Sequence, residues 1–318
     1  MRHLRRSWMT RKTAVLAFSL LVAGSGAVSA QAATAPVAPA GATAVQSAPG
    51  QNRVTKELRE LEASFKGRIG AYAVDTATGK TIGYRAGERF PLLSTFKTFL
   101  CAAALHKART STPGLMEKRI RWTENDLVDH SPVTEKHLKN GLTVAELCKA
   151  TITTSDNTAA NLVLKEIGGP AGLTRYFRSL KDPISRLDRY ETELNNWSLH
   201  DRRDTTTPRA IGRDMRAVTV GKALHPKDRE RLNAWLIANE TGDHRIRAGL
   251  PKSWKIGDKT GTVPIHGSGN DIAIIWPGKS SAPIIMAIYT YRKAEDAPVA
   301  EEVIAKTATI LARGLGKL

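Results

Sequence analysis

The chain has 318 residues, 41% apolar and 25% charged, with a formal charge of +18. These proportions exclude a low-complexity or collagen-like chain and leave room for one large globular domain or two intertwined ones. The basic excess raises nucleic acid as a partner, but its Lys and Arg are scattered among acidic residues with no nucleic-acid motif, so a solvated cationic surface and no nucleic-acid partner are expected.

The first 30 residues differ from the rest: a basic start (Arg2, Arg5, Arg6, Arg11, Lys12), an apolar run from Ala14 to about Ala23, then small residues ending Val28-Ser29-Ala30. This is the pattern of a signal peptide (1–30), cut near Ala30 or Ala33, which predicts secretion to an extracellular or periplasmic location. The Arg5-Arg6 pair also permits the twin-arginine route. The apolar run is too short for a membrane span, and no later stretch approaches the ~20 apolar residues a span needs, so no stable membrane insertion is expected. Residues 31–52 are largely Ala, Pro, Gly, Thr and Val, with no pattern that could bury a face, and read as a flexible leader.

Helical spacing of Leu58, Leu61 and Phe65 predicts a helix over Thr55–Phe65, followed by a β-hairpin over Arg68–Tyr84 that turns at Asp75–Lys80. Beyond Pro91 helical runs dominate, at 94–107, 143–153, 157–167, 171–180, 208–219 and near 226–239. From Trp254 strands return at Lys255–Val263, Ser268–Trp276 and Pro283–Arg292, and Ala297–Leu315 closes the chain as an amphipathic helix. Strands at both ends with helices between them predict a discontinuous α/β domain (53–88 and 236–318) interrupted by an all-α domain (89–235), with a cleft between them as the site.

Ser94-Thr95-Phe96-Lys97 opens the first helix of the middle region and places Ser and Lys one turn apart on one face, so that an amine can reach the hydroxyl. A serine becomes a nucleophile only when a base takes its proton, and a helix start adds N–H donors for an oxyanion. Taken alone, such a serine is more often an N-cap. Ser155-Asp156-Asn157 sits in a turn between two helices, where hydroxyl and amide can face a cleft. Lys259-Thr260-Gly261-Thr262 lies in a strand whose Gly admits a close ligand while Lys and Thr offer a cation and hydroxyls. Cys101 and Cys148 permit one disulfide in an exported chain, worth about 4 kcal/mol by loop entropy, or two separate buried thiols. The eight His show no metal-ligand spacing, and no metal or other cofactor is expected.

The order SxxK, SDN, KTG, with Arg89-Phe90-Pro91 before the serine and Gly257-Asp258 before Lys259, resembles the class A serine β-lactamases, relatives of the penicillin-binding DD-peptidases, from about residue 53 to the end. The fold this implies is α+β: an antiparallel sheet built from both chain ends and flanked by helices, with an inserted helical domain and the active site in the cleft between. The segment from Asp188 to Asn195 looks like the start of the family's omega loop, here 189–204. By that resemblance Glu191 is the general base of deacylation, Asn195 its partner in holding water, and Arg189 with Asp204 the ion pair closing the loop. Cys101 and Cys148 match the family's helix disulfide. Leu93 and Val263 stand where some carbapenem-hydrolysing members have a second bridge, which cannot form here.

The resemblance further implies that Ser94 is the nucleophile and that Lys97, or Glu191 through a water, takes its proton. Backbone N–H groups of Ser94 and Thr262 would form the oxyanion hole. Ser155, near Lys259, would pass a proton to the lactam nitrogen, and Asn157 would hold the substrate's side-chain amide. The substrate carboxylate would meet Lys259, Thr260, Thr262 and Arg245, this last in an HRIR segment where a plain surface arginine would look the same. His130, beside Asp129, is a candidate for the cleft rim. The expected partners are small β-lactam molecules, acted on by a monomer. The alternative is a DD-peptidase or a β-lactam sensor with a long-lived acyl-enzyme, against which Glu191 speaks.

Overall fold

The computed structural model describes residues 49–278 and 282–318. The expected signal peptide and leader residues 31–48 lie outside the described residues. Helix α1 (Pro49–Phe65) turns Val54, Leu58 and Phe65 toward the core and is followed by the antiparallel pair β1 (Gly67–Asp75) and β2 (Thr81–Tyr84). The helix begins inside the segment read from composition as leader. Its first turn is held by a polar anchor that carries no hydrophobic signal: Gln51 donates through Nε2 to Gly83 O (2.7 Å) and accepts from Gly83 N through Oε1 (3.0 Å).

The middle of the chain is helical. Strand β3 (Phe90–Pro91) leads to α2 (Phe96–Thr110), and β4 (Arg119–Ile120) pairs with β5 (Leu142–Thr143) ahead of α3 (Val144–Thr153). Thr143 caps α3 in a reciprocal box with Glu146, and Asp156 caps α4 (Asn157–Ile167) by accepting from Ala159 N at 2.8 Å. Then come α5 (Gly169–Ser179), β6 (Thr205–Thr206), which pairs with β3, α6 (Pro208–Thr219) and α7 (Pro226–Ile237).

Strands β7 (Lys255–Val263), β8 (Ser268–Trp276) and β9 (Ile284–Arg292) complete a five-stranded sheet in the order β2-β1-β9-β8-β7, antiparallel throughout, and α8 (Glu301–Leu315) ends the fold. The fold is α+β, as the sequence indicates. Period-two alternation along β9 divides the core: Ile284, Met286 and Ile288 pack with residues of α1 and α8 on one face. Ile285, Ala287 and Tyr289 face the other way, toward Ile211 and Met215 of α6 and the helical core around α2. Helix α6 thus lies on the sheet although it belongs by sequence to the helical segment. Among the described residues no helix is long and apolar enough to cross a membrane.

Candidate active site

Ser94 lies in a 3-10 turn (Leu93–Thr95), one step ahead of α2 rather than within it. Its neighbours Leu92, Leu93 and Phe96 are fully buried and fix the turn, with Leu93 in the left-handed region at φ 46°. Ser94 Oγ donates to Glu191 Oε1 at 3.4 Å. One turn on, Lys97 is completely buried, and its amine donates to Ser155 O (2.8 Å), to Ser155 Oγ (3.3 Å) and to Asn157 Oδ1, while lying 3.1 Å from Glu191 Oε1. Ser94, the partner expected from the spacing, is not among the acceptors of this amine. Burial lowers the Lys97 pKa, opposed by the nearby carboxylates of Glu191 and Asp156. The neutral amine, able to accept a proton, thereby becomes more accessible.

Ser155 joins α3 to α4 at φ 62°, a conformation stabilised by its neighbour: Asp156 accepts from Val133 N (3.0 Å) and Thr134 N (2.9 Å), fastening the facing loop. Asn157 Nδ2 donates to Asp129 O at 2.8 Å, so both ends of its amide are engaged within the protein. On the same loop the exposed His130 pairs through Nε2 with Thr154 O at 2.9 Å and reaches the cleft rim.

Strand β7 supplies the opposite wall. Lys259, fully buried, donates to Ser155 Oγ (3.1 Å) and Thr260 O (2.8 Å). Burial, then repulsion from Lys97, brings its pKa down to about 7 despite the Asp258 carboxylate. Gly261 is required by close approach, since a Cβ there would sit 2.9 Å from Leu93 Cβ and 3.1 Å from Ser94 N. Arg245 is buried, not a surface arginine. It donates to Gly261 O (2.9 Å), Asn270 O (2.8 Å) and Thr262 Oγ1 (2.6 Å), and pairs with Glu301 at 3.0 Å. Thr260 shares a hydrogen bond with Thr241.

The loop that carries Glu191 is closed by Arg189 and Asp204 at 2.6 Å, with Asp204 also accepting from Asp188 N and Arg189 N. Glu191 is buried and accepts from Asn195 Nδ2 through Oε2 at 2.8 Å. The opposite end of the Asn195 amide, Oδ1, is buried without a partner among the described residues. Ser94, Ser155, Asn157, Asn195, Thr260, Gly261, Thr262 and Arg245 all line one cleft of about 390 Å³, with Lys97, Glu191 and Lys259 buried immediately behind it.

Comparison with known proteins agrees with this arrangement. A profile of the β-lactamase enzyme family matches residues 53–315. The carbapenem-hydrolysing β-lactamase KPC of Klebsiella oxytoca is 48% identical over 265 residues, covering 83% of this chain and 90% of the relative. The β-lactamase AST-1 of Nocardia asteroides is 48% identical over 257 residues, covering 81% and 82%. A crystal structure of a β-lactamase from Streptosporangium roseum superposes with a TM-score of 0.83 at 72% identity, covering 84% of this chain and all of that one. The chain belongs to the class A β-lactamase family. It is a β-lactam hydrolase, and the comparisons lend no support to the DD-peptidase alternative.

The cysteines of this β-lactamase lie in its buried core. Cys101 and Cys148, the pair expected to form a disulfide, are buried thiols side by side in this structure, with Cys101 Sγ donating to Cys148 O at 3.5 Å. Burial and the second thiol push the Cys101 pKa well up, which keeps the thiol protonated. Residues that motif reading missed also contribute. Asn161 sits one turn after Asn157 on α4 and bonds the backbone of Glu191, so its spacing from Asn157 was the available signal. Thr241 and Glu301 reach the cleft from a loop and from the start of α8, and no local pattern marks them.

Proposed function

We propose that this β-lactamase works through a serine acyl-enzyme, the chemistry by which it confers β-lactam resistance. Ser94 Oγ attacks the lactam carbonyl while its proton passes into the relay formed by Glu191 and Lys97. The backbone N–H groups of Ser94 and Thr262 receive the developing oxyanion. The C–N bond breaks, Ser155 protonates the departing nitrogen, and Lys97, bonded to Ser155, returns to it the proton taken from Ser94, while Lys259 orients the Ser155 hydroxyl and keeps its charge. Lys259, Thr260, Thr262 and Arg245 take the substrate carboxylate, beside Gly261, and Asn157 its side-chain amide.

Deacylation follows when a water between Glu191 and Asn195 gives a proton to Glu191 and attacks the ester carbonyl; the ester C–O bond breaks and the proton passes on to Ser94 Oγ, regenerating Ser94 and Glu191. The observation that carries this reading is the placement of one buried carboxylate: Glu191 accepts from Ser94 through one oxygen and from Asn195 through the other, beside the unpartnered Asn195 Oδ1. The protein is proposed to act as an exported monomer, its helical segment 89–235 inserted into a discontinuous α/β domain, with Cys101 and Cys148 closing into a disulfide in an oxidising compartment.

Hydrolysis of a chromogenic cephalosporin by purified mature protein, with no metal added, tests the reading beside Ser94→Ala and Glu191→Ala. Many turnovers are expected from the wild type and none from Ser94→Ala. Glu191→Ala should acylate and then stall, so that intact mass shows the adduct. Adduct no more abundant than in the wild type would remove Glu191 from deacylation.

A further inference from the structure

Between Glu191 and Asp204 the omega loop is polar and largely exposed, and only two of its intervening side chains are buried. These are Leu194, fully buried, and Trp197, at 7% exposure. They bracket Asn195 and lead to different places. Leu194 packs into the helical core. Trp197 packs instead with Leu93 and Val263 in a separate apolar cluster, with Ile265 and Tyr291 against it. Its ring meets Tyr291 edge-on at 5.3 Å between centroids and His266 at 5.3 Å. The His266 backbone is itself held, its amide N–H donating to Glu295 O at 2.7 Å.

The composition of this cluster relates it to the chemistry. Leu93 immediately precedes the nucleophile Ser94, Val263 immediately follows Thr262, and Trp197 stands two residues beyond Asn195. One apolar contact therefore joins the three backbone segments that carry attack, oxyanion binding and the water. A tryptophan side chain contributes a large rigid contact area with only two side-chain torsions to fix. Its neighbours Asn196, Ser198 and Leu199 are exposed, so nothing adjacent substitutes for it.

We propose that Trp197 is a positioning residue for deacylation: it pins the omega loop to the serine turn and to β7, and so sets the spacing of Asn195 and Glu191 from Ser94. The proposal rests on the reading of Glu191 and Asn195 as the water-holding pair. Without the indole, Leu194 still anchors one side of Asn195 while the other side is released, and the water site loosens. Acylation can still proceed through the Lys97 arm of the relay, because Lys97 is fully buried and held by Ser155 O and the serine turn is held by Leu92 and Phe96, whereas deacylation depends on Glu191 and Asn195 alone.

Pre-steady-state kinetics with a chromogenic cephalosporin, followed also by intact mass, separates the two steps in Trp197→Ala, Trp197→Phe and His266→Ala. Trp197→Ala is expected to lose about tenfold or more in deacylation while acylation stays within about threefold. Acyl-enzyme then accumulates, kcat and KM fall together, and kcat/KM is kept. Trp197→Phe should recover most of the rate. His266→Ala, which removes one wall of the indole site without altering the loop, should show the same split more weakly, and with Trp197→Phe it decides the matter if Trp197→Ala does not fold. Equal losses in both steps, or a lowered melting temperature with neither step changed, would overturn the positioning role. Wild-type turnover by Glu191→Ala would instead sink the underlying reading, whatever Trp197 does.

Discussion

Asn161 grips Glu191 by both of its backbone groups, accepting from Glu191 N through Oδ1 at 2.9 Å and donating through Nδ2 to Glu191 O at 2.8 Å. The proposed general base thus hangs from helix α4, although Glu191 itself lies in a turn just ahead of a short 3-10 helix at Glu193–Asn195. A misplacement of about 1 Å at a reacting centre can cost on the order of a hundredfold in rate. Asn161→Ala is therefore expected to lower kcat by about that factor, with the loss in deacylation. Burst kinetics followed by isolation of the acyl-enzyme checks it, and unaltered deacylation would show that the loop holds Glu191 without help.

Lys259, with its pKa drawn down to about 7, can supply the cation proposed for the substrate carboxylate only while protonated. The sign follows: kcat/KM, which reports the free enzyme, should fall as pH rises through about 7. A bound carboxylate favours the charged amine, so the corresponding limb in kcat should lie at higher pH. Lys259→Arg, always charged, should remove the limb near 7 at some cost in rate. Parallel pH profiles for kcat and kcat/KM measure both, and coincident limbs would place the titration elsewhere.

Asp214 is buried on α6, with Oδ2 unpartnered among the described residues. Burial, then the neighbouring Asp182 carboxylate, raise its pKa from 3.8 to about 10, so it remains protonated in the native state where the unfolded chain would ionise. Stability is therefore lost as pH rises from about 4 toward 10, by up to about 1.4 kcal/mol per pH unit. Asp214→Asn keeps the shape and cannot ionise, so its benefit should be small at pH 5 and larger at pH 8. Urea midpoints at the two pH values test this, and an equal shift at both would contradict it.

The adjacent thiols of Cys101 and Cys148 tie α2 to α3 only after oxidation. Protein recovered from an oxidising compartment should show no reactive thiol on denaturation and should resist urea more than its reduced form, by up to about 4 kcal/mol for a loop of this length. Two alkylatable thiols per chain in that material would leave the pair reduced.

The motifs were legible because each combines reactive residue types with a backbone need: Gly261 between Lys259 and Thr262 marks where the strand touches the serine turn. The long strands were legible from alternation, as in Ile284 to Tyr289, and the helices from periodicity. What escaped was held by polar or long-range contacts. Gln51 extends α1 through one strand backbone, the burial of Arg245, though not its candidacy, depends on partners on β7, β8 and α8, and Trp197 finds its pocket across three segments. None of these pairings leaves a periodic trace, because the partners are distant in sequence and specific in geometry.

The central position of β9 sets an order of assembly. It lies between β1 and β8, so Gly67–Asp75 must wait more than two hundred residues for their partner. Such distant pairing is slow to nucleate because loop closure precedes any gain. A nascent chain that has completed its serine turn and helices still lacks the strand that bridges its two ends. Competence therefore arrives only with the last third of the chain, and a prematurely ended polypeptide would carry the nucleophile without the sheet that supports its partners.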